Sequence, residues 1–155
     1  SAASDVYKRQ GDIQLTLSQS SPLTGAVVVT TPQDIALIDA KKGLKMFEKV
    51  NVPLLGIIEN MSVFICPCCG EVTHIFGEGG AKRMSEQYGV PMLGELPLSP
   101  AIREAADSGR PTVAAEPESA AAKMYRAIAM KIAGSIAKLG KDYTARMPTI
   151  SVKND

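Results

Sequence analysis

Residues 25–60 read GAVVVTTPQDIALIDAKKGLKMFEKVNVPLLGIIEN, and the fold turns on how that stretch divides. Gly25 to Thr30 (GAVVVT) is a short, apolar, β-branched run, the composition of a strand covered by helices on both faces and therefore of a parallel sheet. Thr31 and Pro32 then read as a helix start, with Thr31 as N-cap and Pro32 at the first helical position, where its missing N–H costs nothing. Ala36, Ala40, Leu44 and Phe47 recur at three- to four-residue spacing, and Lys41, Lys42, Lys45, Glu48 and Lys49 supply the wet face, so the helix is expected to reach about Val50. Asn51-Val52-Pro53 breaks it, and Leu54 to Glu59 (LLGIIE) reads as a second buried strand ending at Asn60. Strand, helix, strand in this order implies a parallel pair with a right-handed crossover.

Working outward, the pattern repeats. Gly79 to Tyr88 is expected as a short helix, Gly89 as its terminator and Pro91 to Leu96 (PMLGEL) as a third strand. Ser99 to Ser108 reads as a helix capped by Ser99 with Pro100 at its first position, and Glu118 to Leu139 as a long alanine-rich helix. Met124, Ile128, Ile132 and Ile136 mark the buried stripe of that helix, which is core rather than a cofactor box. The fold class is thus α/β, a doubly wound, mostly parallel sheet. Residues 1–10 (SAASDVYKRQ) have neither helical nor strand period and are set outside the fold as a foreign junction, while residues 141–155 read as a polar tail.

The 155 residues are 45% hydrophobic and 21% charged, the balance of one globular domain. With 17 basic and 16 acidic residues the formal charge is +1, which gives no field that would recruit nucleic acid or an anionic membrane surface. The apolar runs fall far short of the roughly 20 residues that span a bilayer. No basic-then-apolar leader opens the sequence, so the expectation is a cytoplasmic protein with neither nucleic acid nor membrane as partner.

All three cysteines lie between Cys66 and Cys69. Such clustering cannot staple a secreted domain and favours metal or redox chemistry. Cys66-Pro67-Cys68-Cys69-Gly70 contains a C-P-x-C-G knuckle, in which a turn can aim the thiolates of Cys66 and Cys69 at one metal and Gly70 lets the backbone fold close to the second sulfur. Zinc and iron–sulfur clusters both call for four protein ligands, and the knuckle supplies two. Three readings stand side by side. His74, the one histidine, adds a third zinc ligand and leaves the fourth missing; the cysteines are unmetallated thiols; or two chains each donate Cys66 and Cys69 to one 4Fe–4S cluster on a two-fold axis. Cys68, between the pair, is expected to point away from the metal as a bystander.

The glycines of Gly77-Glu78-Gly79-Gly80-Ala81-Lys82 do not form a phosphate loop, because Lys82 and Arg83 stand where that pattern needs Gly and Lys; they read as a turn into the next helix. No catalytic constellation is legible, and no catalytic residue is assigned.

Taken in order, Gly11-Asp12-Ile13-Gln14-Leu15-Thr16-Leu17, Thr30-Thr31-Pro32-Gln33 with Asp39, Glu59-Asn60-Met61-Ser62, the knuckle, Phe76-Gly77-x-Gly79-Gly80, and Pro97 through Ala101-Ile102-Arg103-Glu104 to Gly109-Arg110-Pro111 resemble the Mrp/ApbC family of iron–sulfur carrier ATPases, within the MinD-like P-loop proteins. The resemblance implies a homodimer that binds and transfers a 4Fe–4S cluster with ATP and magnesium, between an iron–sulfur scaffold and recipient apoproteins. It implies Cys66 and Cys69 as bridging ligands, Asn60 as the residue recognising adenine, and a Pro97-Leu98 turn lining the same pocket. Residues 11–140 then correspond to the C-terminal part of a P-loop ATPase-like domain, with the metal knuckle at 66–70. The family's G-K-G-G-V-G-K-S/T loop and D-x-P-P-G-T element, which would precede Gly11, are not in this sequence. The sheet is therefore expected to be incomplete on its N-terminal side, with Ala26 to Thr30 as an exposed apolar edge, and this chain alone is expected not to hydrolyse ATP. The rival expectations are a zinc-knuckle interaction module without ATPase activity and a MinD-like positioning ATPase relative.

Overall fold

The computed structural model of the chain describes Thr16 and residues 23–143, with side chains through residue 139. In chain order the elements are β1 (Ala26–Thr30), α1 (Asp34–Lys49), β2 (Leu54–Ile65), β3 (Val72–Thr73), α2 (Gly80–Tyr88), β4 (Met92–Leu98), α3 (Pro100–Asp107), α4 (Thr112–Ala115) and α5 (Ala120–Tyr143). β2 lies in the middle of the sheet. β1 runs parallel to it from Ala26↔Leu54 to Thr30↔Glu59, and β4 runs parallel on its other edge from Ile57↔Met92 to Phe64↔Leu98.

Alternation along the strands sends side chains into two separate cores. On one face Val28 and Ile57 meet Leu37, Ala40 and Leu44 of α1 and Ala81 and Met84 of α2. On the other, Ile58, Leu93 and Leu96 meet Ile128 of α5, with Met124 and Ile132 packed alongside. Helices on both faces of a parallel sheet are the doubly wound α/β arrangement expected. Among the described residues β1 pairs only with β2, but of the stretch expected as an exposed apolar edge only Val29 is exposed, at 58%, while Ala26, Val28 and Thr30 are buried.

The element boundaries carry several corrections. α1 opens at Asp34 with Gln33 as N-cap, not at Pro32, because Gln33 is still extended at φ −67° and ψ 137° and the Thr31 hydroxyl donates to the Gln33 side chain (3.1 Å) rather than capping. Along α1 the buried face holds Leu37 with Ala40 and Leu44, while Ala36 is only partly covered. β4 extends to Leu98, so Pro97 and Leu98 are the end of a strand and not a turn. Pro97 is tolerated there because β4 pairs only with β2 among the described residues, so its missing N–H faces no ladder partner. α5 runs on to Tyr143, into the stretch expected as tail, and Ile136 at its far end is 40% exposed because the sheet face beneath α5 reaches only as far as Ile132. Residues 1–10 and 144–155 lie outside the described residues.

The largest departure is in β2. The strand does not stop at Asn60 but continues to Ile65. Glu59 pairs with Glu95 and Val63 with Pro97, so four steps along β2 match two along β4. The extra residues bulge at Asn60-Met61-Ser62, with Met61 in the left-handed region at φ 55°.

Candidate metal and nucleotide site

Past the bulge, β2 turns at Cys66 and returns as β3, paired antiparallel through Phe64↔Thr73 and Ile65↔Val72. The cysteines therefore sit on residues 66–71, the loop of a β-hairpin standing at the carboxyl end of the sheet. The backbone closes this loop itself: Cys66 N–H donates to Glu71 O (2.9 Å) and Gly70 N–H to Cys66 O (2.8 Å). Gly70 has φ 74°, and a Cβ there would meet nothing within 4 Å. Its role is the left-handed turn rather than close approach.

Cys66 is half-buried; Cys68 and Cys69 are exposed, and none of the three is in a disulfide. The Cys66 thiol is held below its ordinary value, first by the backbone N–H of Cys69, then by that of Cys68, and further by the Cys69 thiol; desolvation opposes them, and the Cys68 thiol adds a last lowering contribution. N–H groups folded back onto a sulfur favour the thiolate, the form that binds metal. Cys68, expected to point away from the metal, is exposed on the turn.

His74 does not join the cysteines. Its Nε2 lies 3.2 Å from Glu78 Oε1, and among the described residues no group of three or more His, Cys, Asp or Glu side chains is placed to hold a metal ion. The glycines at 77–80 form the turn into α2, with Gly77 at φ 96° and Gly79, the N-cap, at φ 70°.

Asn60 and the pair Pro97 and Leu98 line different cavities. Asn60 borders a cleft of about 470 Å³ along β1, with Val27 to Thr31 on its floor and Ala36, Ala40, Gly43 and Phe47 of α1 as its wall. Its carboxamide oxygen accepts Met61 N–H (2.9 Å), so the NH₂ group is left for another acceptor. Pro97 and Leu98 line a separate pocket of about 180 Å³ with Ile65, Ser99, Ile102 and Thr112.

Sequence reasoning passed over Glu59 and Ser62. Glu59 is 1% exposed; its carboxyl group accepts Ser62 Oγ–H (2.9 Å) on one oxygen and the backbone N–H of Ala81 (2.8 Å), in the first turn of α2, on the other. The signal was present: a charged residue closing an apolar strand has to find partners when buried.

A mostly parallel, doubly wound sheet whose central strand carries a cysteine hairpin past its carboxyl edge defines an α/β protein with a thiol site. Residues 8–133 match the family described as NUBPL iron-transfer P-loop NTPase (ParA), and the chain belongs to that family. It is 59% identical over 132 residues to the iron-sulfur cluster carrier protein of Escherichia coli K12, covering 85% of this chain and 36% of that protein. Against the iron-sulfur cluster carrier protein of Pseudomonas fragi the identity is 56% over 126 residues, covering 81% and 44% respectively. The chain thus spans less than half the length of these relatives. Among solved structures it is similar to a nucleotide-binding protein from Archaeoglobus fulgidus in complex with ADP, at 37% identity and a TM-score of 0.57, covering 68% of this chain and 42% of that one. No helix among the described residues is long and apolar enough to cross a membrane.

Proposed function

We propose that this chain is the cluster-holding part of an iron–sulfur carrier, and that Cys66 and Cys69 of two copies clasp one 4Fe–4S cluster as cargo passed from a scaffold to recipient apoproteins. The observation that carries this reading is the hairpin: an exposed loop closed by its own backbone, Cys66 N–H on Glu71 O and Gly70 N–H on Cys66 O, which belongs to no single-chain group of three metal-holding side chains among the described residues. Two such loops facing one another make up four thiolates, the set a cluster takes. Exposed Val72 (56%) and Ile75 (51%) flank the loop and give a second copy apolar surface to rest on.

For a nucleotide, the residues present fit the base end. Asn60 stands at the carboxyl end of parallel strands, where such sheets bind ligands, and its NH₂ group is available to a ring nitrogen. ATP and magnesium would add hydrolytic energy to the carrier cycle; this chain's own part is to hold the base at Asn60 and to present the thiols. Pro97 and Leu98 close β4 beside β2 and line a separate pocket. A cytoplasmic setting fits this chemistry, since reduced thiols persist there.

Anaerobic reconstitution with iron and sulfide tests the reading, following the visible spectrum, iron per chain and oligomeric mass for wild type, C66A/C69A and C68A. About four irons per dimer in wild type and C68A, lost in C66A/C69A, is the expected result. A colourless monomer holding one zinc would replace it with the interaction-module reading, and a brown wild type bleached by C68A alone would reassign the ligands.

A further inference from the structure

We propose that Glu59 is the positioning residue of the cysteine hairpin, a clamp that fixes the root of the thiol loop to the sheet so that a cluster can be seated and kept. The inference rests on the carrier reading for its consequence, and on geometry for its mechanism. Glu59 is the last β2 residue before the bulge, in register with Thr30 on one side and Glu95 on the other. One carboxyl oxygen accepts Ser62 Oγ–H across the bulge, three residues on; the other accepts the N–H of Ala81, 22 residues on. Between those two partners lies the whole excursion that carries Cys66, Cys68 and Cys69. A single buried side chain therefore ties the strand that departs toward the thiol loop to the first turn of the helix that follows the loop.

The surroundings make the clamp hard to replace. Gly79, the N-cap of α2, has no side chain to offer its first turn, and Glu59 serves that turn from a distant strand. No residue from 63 to 79 is buried, so the hairpin is not anchored by a core of its own. Gly80 is pressed against α1, where an added Cβ would lie 2.7 Å from Leu37 Cδ1 and 3.3 Å from Pro32 O; this fixes where the helix end must sit for Glu59 to reach it. Asn60 and Met61 occupy the bulge directly beside the clamp, so an occupant of the Asn60 cleft and the thiol loop would share one support.

The test compares wild type with E59A, E59Q and S62A in the full chain. Gln can accept Ala81 N–H through its oxygen and donate to Ser62 Oγ through its amide, so E59Q restores both ties and should behave as wild type. Hydrogen exchange of the Cys66 and Gly70 amides in the metal-free chain, and the rate at which a chelator strips iron from the reconstituted chain, should both rise roughly tenfold in E59A and by a smaller factor in S62A. Faster exchange at Ala81 with hairpin amides and chelator resistance unchanged would overturn the proposal, leaving Glu59 a local helix cap. Should wild type take up no iron, the carrier reading fails while hairpin exchange still decides the clamp. Should E59A not fold, S62A decides alone: hairpin exchange at the wild-type rate in folded S62A overturns it.

Discussion

Gly56→Ala should cost this fold more than its one added methyl suggests. Gly56 is buried in β2, opposite Val27 of β1. A Cβ there would stand 2.7 Å from the carbonyl oxygen of Pro91 and 2.8 Å from Leu93 Cδ1, with Leu93 Cγ closer still. Neither neighbour can withdraw freely. The Pro91 oxygen accepts the Ile57 N–H (2.9 Å), a bond that opens the β2–β4 ladder, and Leu93, 3% exposed, is locked among Ile58, Leu96 and Ile128. Overpacking in a closed core costs about 1–3 kcal/mol, and a backbone contact places this change near the top of that range. With an unfolding entropy of about 2.1 cal/mol/K per residue over roughly 120 residues, 3 kcal/mol lowers Tm by about 12 °C. Differential scanning calorimetry of the metal-free chain measures it directly. A Gly56→Ala chain melting within about 2 °C of wild type would refute the claim that Pro91 and Leu93 are held in place.

The other expectations are smaller or of a different kind. Gly134→Ala, in exposed mid-helix of α5 with nothing within 4 Å of the new Cβ, should stabilise by about 0.5–1 kcal/mol and raise Tm by a few degrees in the same calorimeter. Cys66, lowered from the ordinary 9.0 chiefly by the Cys69 N–H, favours its thiolate in the folded chain, so that contribution is present above the unfolded pKa and lost as pH falls through the folded one; its alkylation rate by iodoacetamide, followed by peptide mass spectrometry, should inflect below 9.0 and move back up in urea. Val29→Lys, placing a charge on β1, which pairs only with β2 among the described residues, should suppress concentration-dependent association in light scattering with Tm nearly unchanged, because Val29 is 58% exposed.

Much of the sheet was legible because its signals are local. GAVVVT and LLGIIE announce β1 and the first half of β2 by composition, and Gly89, at φ 64°, ends α2 as a glycine terminator should. What was not legible depends on pairing across the chain. Asn60-Met61-Ser62 looks like the end of a strand; only Val63 finding Pro97 on β4 carries the strand onward to Cys66. The Glu59 clamp needs Ala81, which no spacing rule connects to it. At the thiol loop, the spacing singled out Cys66 and Cys69, while the closure of the turn by Cys66 N–H on Glu71 O and Gly70 N–H on Cys66 O depends on the strand's return as β3.

The hairpin contributes nothing to either core: every residue from 63 to 79 lies outside the two buried clusters that hold the helices to the sheet. Small metal domains such as zinc fingers draw their folding energy from the ion and collapse when it leaves. Here the ledger of stability is kept elsewhere, so loading and emptying the thiols need not melt the scaffold that presents them. For a chain whose proposed task is to hand its cargo on, that separation lets the empty form persist, folded, for another round.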